Sequence, residues 1–225
     1  MKVSVIVPSY KFVKYLEQSL LSALWQRTTF DFEVLVRDDF SQDGSEEIIE
    51  RLTYFYPNLK YFKSTENLGF HKNIPFLLSE AKGEYIAYLD GDDYFFDQYK
   101  LQKQVDFLES NTEFSCCFTN FKILGDLNTV LKLANHKILN KRDVFNTSDF
   151  LTNWFTQNST LMFNRNVINY LPEFYLTLPI DFTLNLLLSI NGKVKYLKDY
   201  TSVYRNHSKG ITKLNKSYFL ELKEY

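Results

Sequence analysis

Four short apolar runs constrain this chain more than anything else in it: "KVSVIV" at 2–7, "FEVLVRDD" at 32–39, "LKYFKS" at 59–64 and "EYIAYL" at 84–89. The first two are nearly continuous and rich in β-branched residues, as expected of strands buried on both faces in a parallel sheet. Pro8 is expected to stop the first of them. Val13, Leu16, Leu20, Ala23 and Leu24 then recur every three or four residues and predict an amphipathic helix from Phe12 to about Gln26. "SQDGSEEIIERLTYFY" predicts a turn and a second helix, with acidic residues in the first turn where they suit the helix dipole. A third helix is predicted from about Phe70 to Ala81. Alternation of this kind, with short connections, implies an α/β fold with a mostly parallel central sheet flanked by helices.

The second half is patterned differently. A helix is predicted over 97–110, with strands near 114–123 and 128–133. "TSDFLTN" reads as a short helix capped by Thr147 or Ser148. "STLMFN" reads as a strand, "NRNVINYL" as a helical turn and "DFTLNLLLSIN" as an apolar helix ended by Gly192. "VKYL" and "TSVYRNH" read as two short closing strands. No internal repeat or low-complexity linker divides the chain. The 225 residues are therefore expected to form one domain, a nucleotide-binding half over 1–110 followed by a more variable second half over 111–225.

A formal net charge of −1 gives no general pull towards nucleic acid, which is not expected as a partner. Cys116 and Cys117 are adjacent, and neighbours on a strand point to opposite faces, so an ordinary disulfide between them is not expected. With no zinc-like or disulfide-like spacing, a reducing, cytoplasmic setting is the expectation. No stretch approaches 18 uninterrupted apolar residues, so no transmembrane helix is expected. "KLNKSYFLELKEY" allows a peripheral membrane helix, although an ordinary packed terminal helix also accounts for it.

Chemistry on parallel sheets collects at the carboxyl ends of the strands. Three clusters fall there: Pro8-Ser9-Tyr10, Arg37-Asp38-Asp39 and Asp90-Gly91-Asp92-Asp93. Three carboxylates within four positions repel one another and raise each other's pKa. A solvated turn is the ordinary reading of such a loop. The functional reading is a divalent cation, because Mg²⁺ and Mn²⁺ take oxygen ligands and bind substrate phosphates beside one or two carboxylates. The loop lacks the alternating acids and terminal Glu of an EF-hand.

"VSVIVPSY" at 3–10, "VLVRDDFSQDGS" at 34–45, "NLGFHKN" at 67–73 and "AKGEYIAYLDGDD" at 81–93 follow in an order that resembles the family 2 glycosyltransferases, which have the Rossmann-like GT-A fold. The likeness spans residues 2–110 and continues more weakly through "LPIDFTLNLLLSINGKVKYL" and "VYRNHSKGIT" to about 212. It implies inverting transfer of a sugar from a nucleotide-sugar donor, a UDP-sugar, to a hydroxyl of a glycan or lipid-linked glycan acceptor. Surface polysaccharide synthesis at the inner face of a bacterial membrane is the implied setting. On the matching positions, Pro8 and Tyr10 flank the donor base. Asp39 hydrogen-bonds that base, with Asp38 its companion; a helix-capping turn explains the same pair without a ligand. Asn67, Gly69 and Asn73 run past the nucleotide and donor sugar, and Lys72 reaches a phosphate or faces solvent.

The same resemblance puts Asp90 and Gly91 near the ribose or sugar, and gives Asp92 the metal, Mn²⁺ or Mg²⁺. Asp93 is open between support and simple exposure. Asp181 matches the catalytic base, and an N-cap of the following helix is its plainer explanation. Arg205 and Lys209 match phosphate contacts, His207 a further metal ligand, and Trp154 a stacking wall or a core residue. Three departures stand out: Lys11 replaces a frequent Asn, Ile180 precedes Asp181 where Glu is frequent, and the QxxRW motif of processive synthases is missing. A non-processive enzyme is therefore expected. The end of the chain soon after "YRNH" leaves open a native protein that continues beyond Tyr225. A nucleotidyltransferase making nucleotide sugars is the nearest rival, but "VPSYKFVKY" lacks a Gly-rich basic phosphate loop. A non-catalytic binding protein on the same fold is the second. No GxGxxG follows the first strand, which argues against a dehydrogenase.

Overall fold

The computed structural model describes residues 1–125, 130–133, 138–152, 155–168 and 180–208. The chain opens with β1 (Val3–Ser9), α1 (Val13–Leu24), β2 (Phe32–Asp38), α2 (Ser45–Phe55), β3 (Leu59–Lys63), α3 (Phe70–Glu80) and β4 (Tyr85–Tyr88). It continues through β5 (Tyr94–Phe95), α4 (Lys100–Ser110), β6 (Phe114–Gly125), β7 (Val130–Leu133), β8 (Val144–Phe145) and α5 (Thr147–Thr152). A 3-10 turn (Asn158–Thr160), β9 (Leu161–Asn164), a second 3-10 turn (Arg165–Ile168), α6 (Ile180–Ile190) and β10 (Lys193–Asn206) complete it.

The strands form one sheet in the order β3-β2-β1-β4-β9-β6-β10-β5, with β7 on β6 and β8 on β10. The first four strands pair in parallel, as their apolar runs predict. Beyond β4 the sheet is mixed, because β9 enters antiparallel between β4 and β6. One face packs Val3, Val5, Val7, Leu16, Leu20, Ile49, Leu101 and Cys117 beneath α1, α2 and α4. The other packs Ile6, Ile74, Leu77, Cys116, Phe118, Leu184 and Leu188 beneath α3 and α6. The adjacent cysteines thus lie in opposite cores as free thiols, as strand geometry requires.

Four readings change. Pro8 does not end β1, which runs on to Ser9. The carbonyls of Ile6 and Pro8 face β4, accepting from Leu89 and Gly91, so the missing Pro8 N–H also faces that side. The ladder to β4 has already ended at Ile6–Tyr88, and no donor is needed there. The short helix is capped by Asn146, whose Oδ1 accepts from the Ser148 N–H at 3.1 Å, and not by Thr147 or Ser148. The fourth helix, α4, starts at Lys100 and not at Asp97, and an unexpected two-residue strand, β5, precedes it. The two closing strands are one, β10, which absorbs the break as register shifts around Tyr200. Its parallel run along β6 carries Arg205 and His207 to the carboxyl end of the sheet, beside the loop after β4.

Candidate active site

The loops at the carboxyl ends of β1 and β2 are held in unusual backbone conformations. Lys11, Phe40 and Gln42 have φ of 58°, 60° and 53°, the left-handed region that costs a non-glycine residue about 1 kcal/mol. Cross-loop hydrogen bonds keep them there: Lys11 N–H donates to Ser41 Oγ (2.7 Å) and Val13 N–H to Asp43 Oδ2 (3.2 Å). Strain of this kind collects where a surface is shaped for a ligand. Tyr10 lies half-buried on this rim, with the Lys11 ammonium 5.0 Å from its ring centroid.

The acidic pair divides. Asp38 turns inward and accepts from the N–H (2.8 Å) and hydroxyl of Ser41, while burial pushes its pKa up. Asp38 thereby fixes the turn after β2 but caps no helix, since α2 starts only at Ser45, whose N–H donates to Asp43 Oδ1. Asp39 instead accepts from the N–H groups of Leu68 (3.0 Å) and Gly69 (2.7 Å), tying the 67–69 segment to the end of β2. Gly69 has φ of +75° with open space where a Cβ would stand, and the exposed Asn67 accepts its N–H through Oδ1 at 3.1 Å. Asn73 is buried and donates to the Arg37 carbonyl at 3.4 Å, so it sits inside the α3–β2 contact. Lys72 is exposed.

The loop after β4 is a tight turn, with the Asp93 N–H donating to the Asp90 carbonyl at 3.0 Å. Gly91 lies against the end of β1; an added Cβ would stand 3.1 Å from the Pro8 carbonyl and 3.2 Å from Ser9 Cβ. Asp93 is buried, which decides between support and exposure. Its carboxylate accepts from Arg205 N–H (2.9 Å), Ser159 Oγ–H (2.8 Å) and Gln157 Nε2 (2.6 Å). Burial first, and the Asp92 charge next, push its pKa up, while the Arg205 N–H and the Ser159 hydroxyl pull it down. Asp90 rises well above the ordinary carboxylate range through burial and then the charges of Asp93, Asp92 and Asp181. Asp90 therefore feels three other carboxyl groups, one of them from a distant part of the chain.

Asp92 stands at the edge of this group, and its Oδ2 lies 3.0 Å from His207 Nε2. His207 is buried against the rings of Tyr15 (4.8 Å) and Phe12 (6.2 Å). Among the described residues no group of three or more His, Cys, Asp or Glu side chains is gathered to hold a metal. Mg²⁺-like sites need fewer, since such ions keep waters and share substrate phosphates. Ligands about 2.1 Å from an octahedral ion stand about 3 Å apart when adjacent, so the Asp92–His207 spacing fits such a site. Asp181, near the start of α6, accepts from Asn158 Nδ2 at 2.5 Å, and burial pushes its pKa up.

Arg205, matched by resemblance to a phosphate contact, lies behind the loop, 5% exposed. Its guanidinium donates to the Asp92 carbonyl and Gln18 Oε1 and lies between the rings of Tyr15 (5.0 Å) and Tyr94 (4.6 Å). Burial lowers its pKa. Lys209, Trp154 and the terminal segment lie outside the described residues. Sequence reasoning missed Gln157, Asn158 and Ser159, which contact Asp93, Asp181 and the Asp90 N–H. The signal was the polar run "TQNST" before an apolar strand. No described helix is long and apolar enough to cross a membrane.

The chain matches the family model "Glycosyl transferase family 2" over residues 4–171. It is 31% identical over 209 residues to an uncharacterized protein of Mycobacterium tuberculosis H37Rv, covering 92% of this chain and 60% of that protein. Its structure is similar to Staphylococcus aureus TarS residues 1–349 in complex with UDP, with a TM-score of 0.71, 24% identity, and coverage of 99% and 63%. It also resembles the mannosyltransferase PcManGT of Pyrobaculum calidifontis in complex with GDP-Man and Mn²⁺, with a TM-score of 0.66, 18% identity, and coverage of 90% and 56%. The chain spans about three fifths of the length of these relatives. It belongs to glycosyl transferase family 2 and has the GT-A fold.

Proposed function

We propose that this protein is an inverting, metal-dependent glycosyltransferase that moves a sugar from a UDP-sugar to a hydroxyl of a glycan acceptor. The observation that carries the reading is the meeting of the Asp92–His207 pair with Asp181, from α6, around Asp90 on one rim of the sheet. Asp92 and His207 would hold Mn²⁺ or Mg²⁺, which offsets the charge growing on the leaving diphosphate. Tyr10, Pro8 and Asp39 receive the base, while Asn67, Gly69 and Asp90 border the ribose and sugar. Arg205 braces the acidic loop from behind.

In the transfer, the acceptor oxygen forms its bond to the anomeric carbon as the sugar–phosphate bond breaks, and Asp181 takes the hydroxyl proton. A positioned base of this kind contributes about 10²–10⁴-fold. Burial suits the task, because a carboxylate lifted above its ordinary range accepts a proton more readily. A lipid-linked glycan at the cytoplasmic face of a membrane is the acceptor this reading favours, in polysaccharide synthesis.

The test is UDP release from a panel of UDP-glucose, UDP-galactose, UDP-N-acetylglucosamine and UDP-N-acetylgalactosamine with Mn²⁺, in the protein and in Asp181→Asn. Wild-type turnover of one donor, with a loss of at least about 10²-fold in Asp181→Asn and unchanged UDP affinity, is expected. Release from no donor would mark a non-catalytic nucleotide-binding protein, and full activity in Asp181→Asn would move the base elsewhere.

A further inference from the structure

We propose that Asn158 is a positioning residue that aims Asp181, fixing the base against the acidic loop. The inference rests on the assignment of Asp181 as the base and names what sets its geometry. Among the described residues, Asn158 Nδ2 is the hydrogen-bond donor to the Asp181 carboxylate, at 2.5 Å on Oδ1. That leaves Oδ2 to take a proton. Asn158 is 8% exposed, so its amide has little freedom to turn away.

The residues around it are anchored from three sides. Ser202 Oγ on β10 donates to the Ser159 carbonyl at 2.6 Å, and Gln104 Nε2 on α4 donates to the Thr160 carbonyl at 3.0 Å. Gln157 and Ser159, on either side of Asn158, both donate to Asp93 Oδ2 at 2.6 and 2.8 Å. Ser159 Oγ also accepts the Asp90 N–H at 3.2 Å. One three-residue stretch therefore grips the acidic loop with its outer members and the base with its middle one. Asp181 arrives on a helix with no other described side chain holding its carboxylate, and an error of about 1 Å at a reacting group can cost about 10²-fold.

The experiment is a double-mutant cycle on UDP release, with Mn²⁺ and the panel donor turned over fastest, using Asn158→Ala, Asp181→Asn and the pair. Asn158→Ala should lower kcat by about 10- to 100-fold while donor KM stays within about twofold. In the Asp181→Asn background the same change should cost nothing further, since Asn158 acts through that carboxylate. Asn158→Asp keeps the shape but replaces the donor with an acceptor, and covers the case in which the alanine variant does not fold. It too should lose kcat. Equal losses from Asn158→Ala in both backgrounds, a rise in KM with kcat unchanged, or wild-type kcat in Asn158→Asp would overturn the inference. Wild-type turnover by Asp181→Asn would instead fail the assignment of the base, whatever Asn158 does.

Discussion

Replacing Lys100 with methionine should stabilise the protein at neutral pH, and the gain should shrink as pH rises. Lys100 opens α4 fully buried, with its ammonium donating to Gln104 Oε1 and lying 4.7 Å from the Phe95 ring centroid. The nearby thiols of Cys116 and Cys117 are pushed up by burial, Cys117 to about 12, so they offer no anion at neutral pH. Burial lowers Lys100 from 10.5 to about 7, with Asp97 a minor opposing charge. An unfolded lysine keeps its proton to about 10.4, so between pH 7 and that value the unfolded chain binds more protons and stability rises with pH. With about 1.4 kcal/mol per unit, the buried lysine costs ~4 kcal/mol at pH 7 and ~2 kcal/mol at pH 9. Lys100→Met removes that cost but strips Gln104 Oε1 of its donor, a loss of about 1–3 kcal/mol at any pH. Net stabilisation of about 1–3 kcal/mol at pH 7 should fall to near zero at pH 9. Urea unfolding of both proteins at the two pH values measures it, and the ~2 kcal/mol difference between them does not depend on the Gln104 contribution. A mutant-to-wild-type gap that is the same at both pH values would refute the reasoning, since Lys100 would then titrate normally in the fold.

Asp92→Ala should abolish the strengthening of UDP binding by Mn²⁺ in calorimetry; an Mn²⁺ effect that survives would take the ion away from the Asp92–His207 pair. Gly83→Ala should cost more than about 4 kcal/mol and leave little soluble protein. Its Cβ would stand 2.3 Å from the Ser4 backbone nitrogen and 2.6 Å from the Val3 carbonyl carbon, neither of which can yield. Near-wild-type urea unfolding of that variant would refute the close packing of Gly83 on β1.

The parallel half of the sheet was legible because each strand carries its own evidence. "KVSVIV" and "EYIAYL" are apolar in sequence and buried in the structure, and the turns after them meet where Gly91 N–H donates to the Pro8 carbonyl. Asp92 and Asp181 drew attention as charges at the ends of apolar segments, but the roles proposed for them came from the resemblance to a family. What could not be read was long-range. His207 meets Asp92 across 115 positions, brought there by the parallel run of β10 along β6. Pro8 stayed in its strand because β4 had ended beside it, a fact about a neighbour and not about proline. The "QNS" stretch carries no signal of its own in sequence beyond a polar run before a strand, yet its outer side chains hold the acidic loop and its middle one holds Asp181.

The crowding of carboxylates after β4 also changes meaning once their partners are separated. Asp93 is saturated: three donors hold it, one from the backbone of Arg205, and the Arg205 guanidinium is committed to the Asp92 carbonyl and Gln18. The protein therefore spends its one nearby described guanidinium on shaping the loop from behind. Asp92, with 14% of its side chain exposed, has His207 beside it, and Asp90 has a hydrogen bond from Tyr88; neither is held by three donors as Asp93 is. Removing like charges from water without compensation is costly, and groups in that position protonate or find a cation. The pKa rise of Asp90 is the first outcome. A divalent cation at Asp92 and His207 would produce the second. On that account the crowding that raises Asp90 is the same quantity that would draw a cation to Asp92 and His207, while Asp93 keeps the loop in shape.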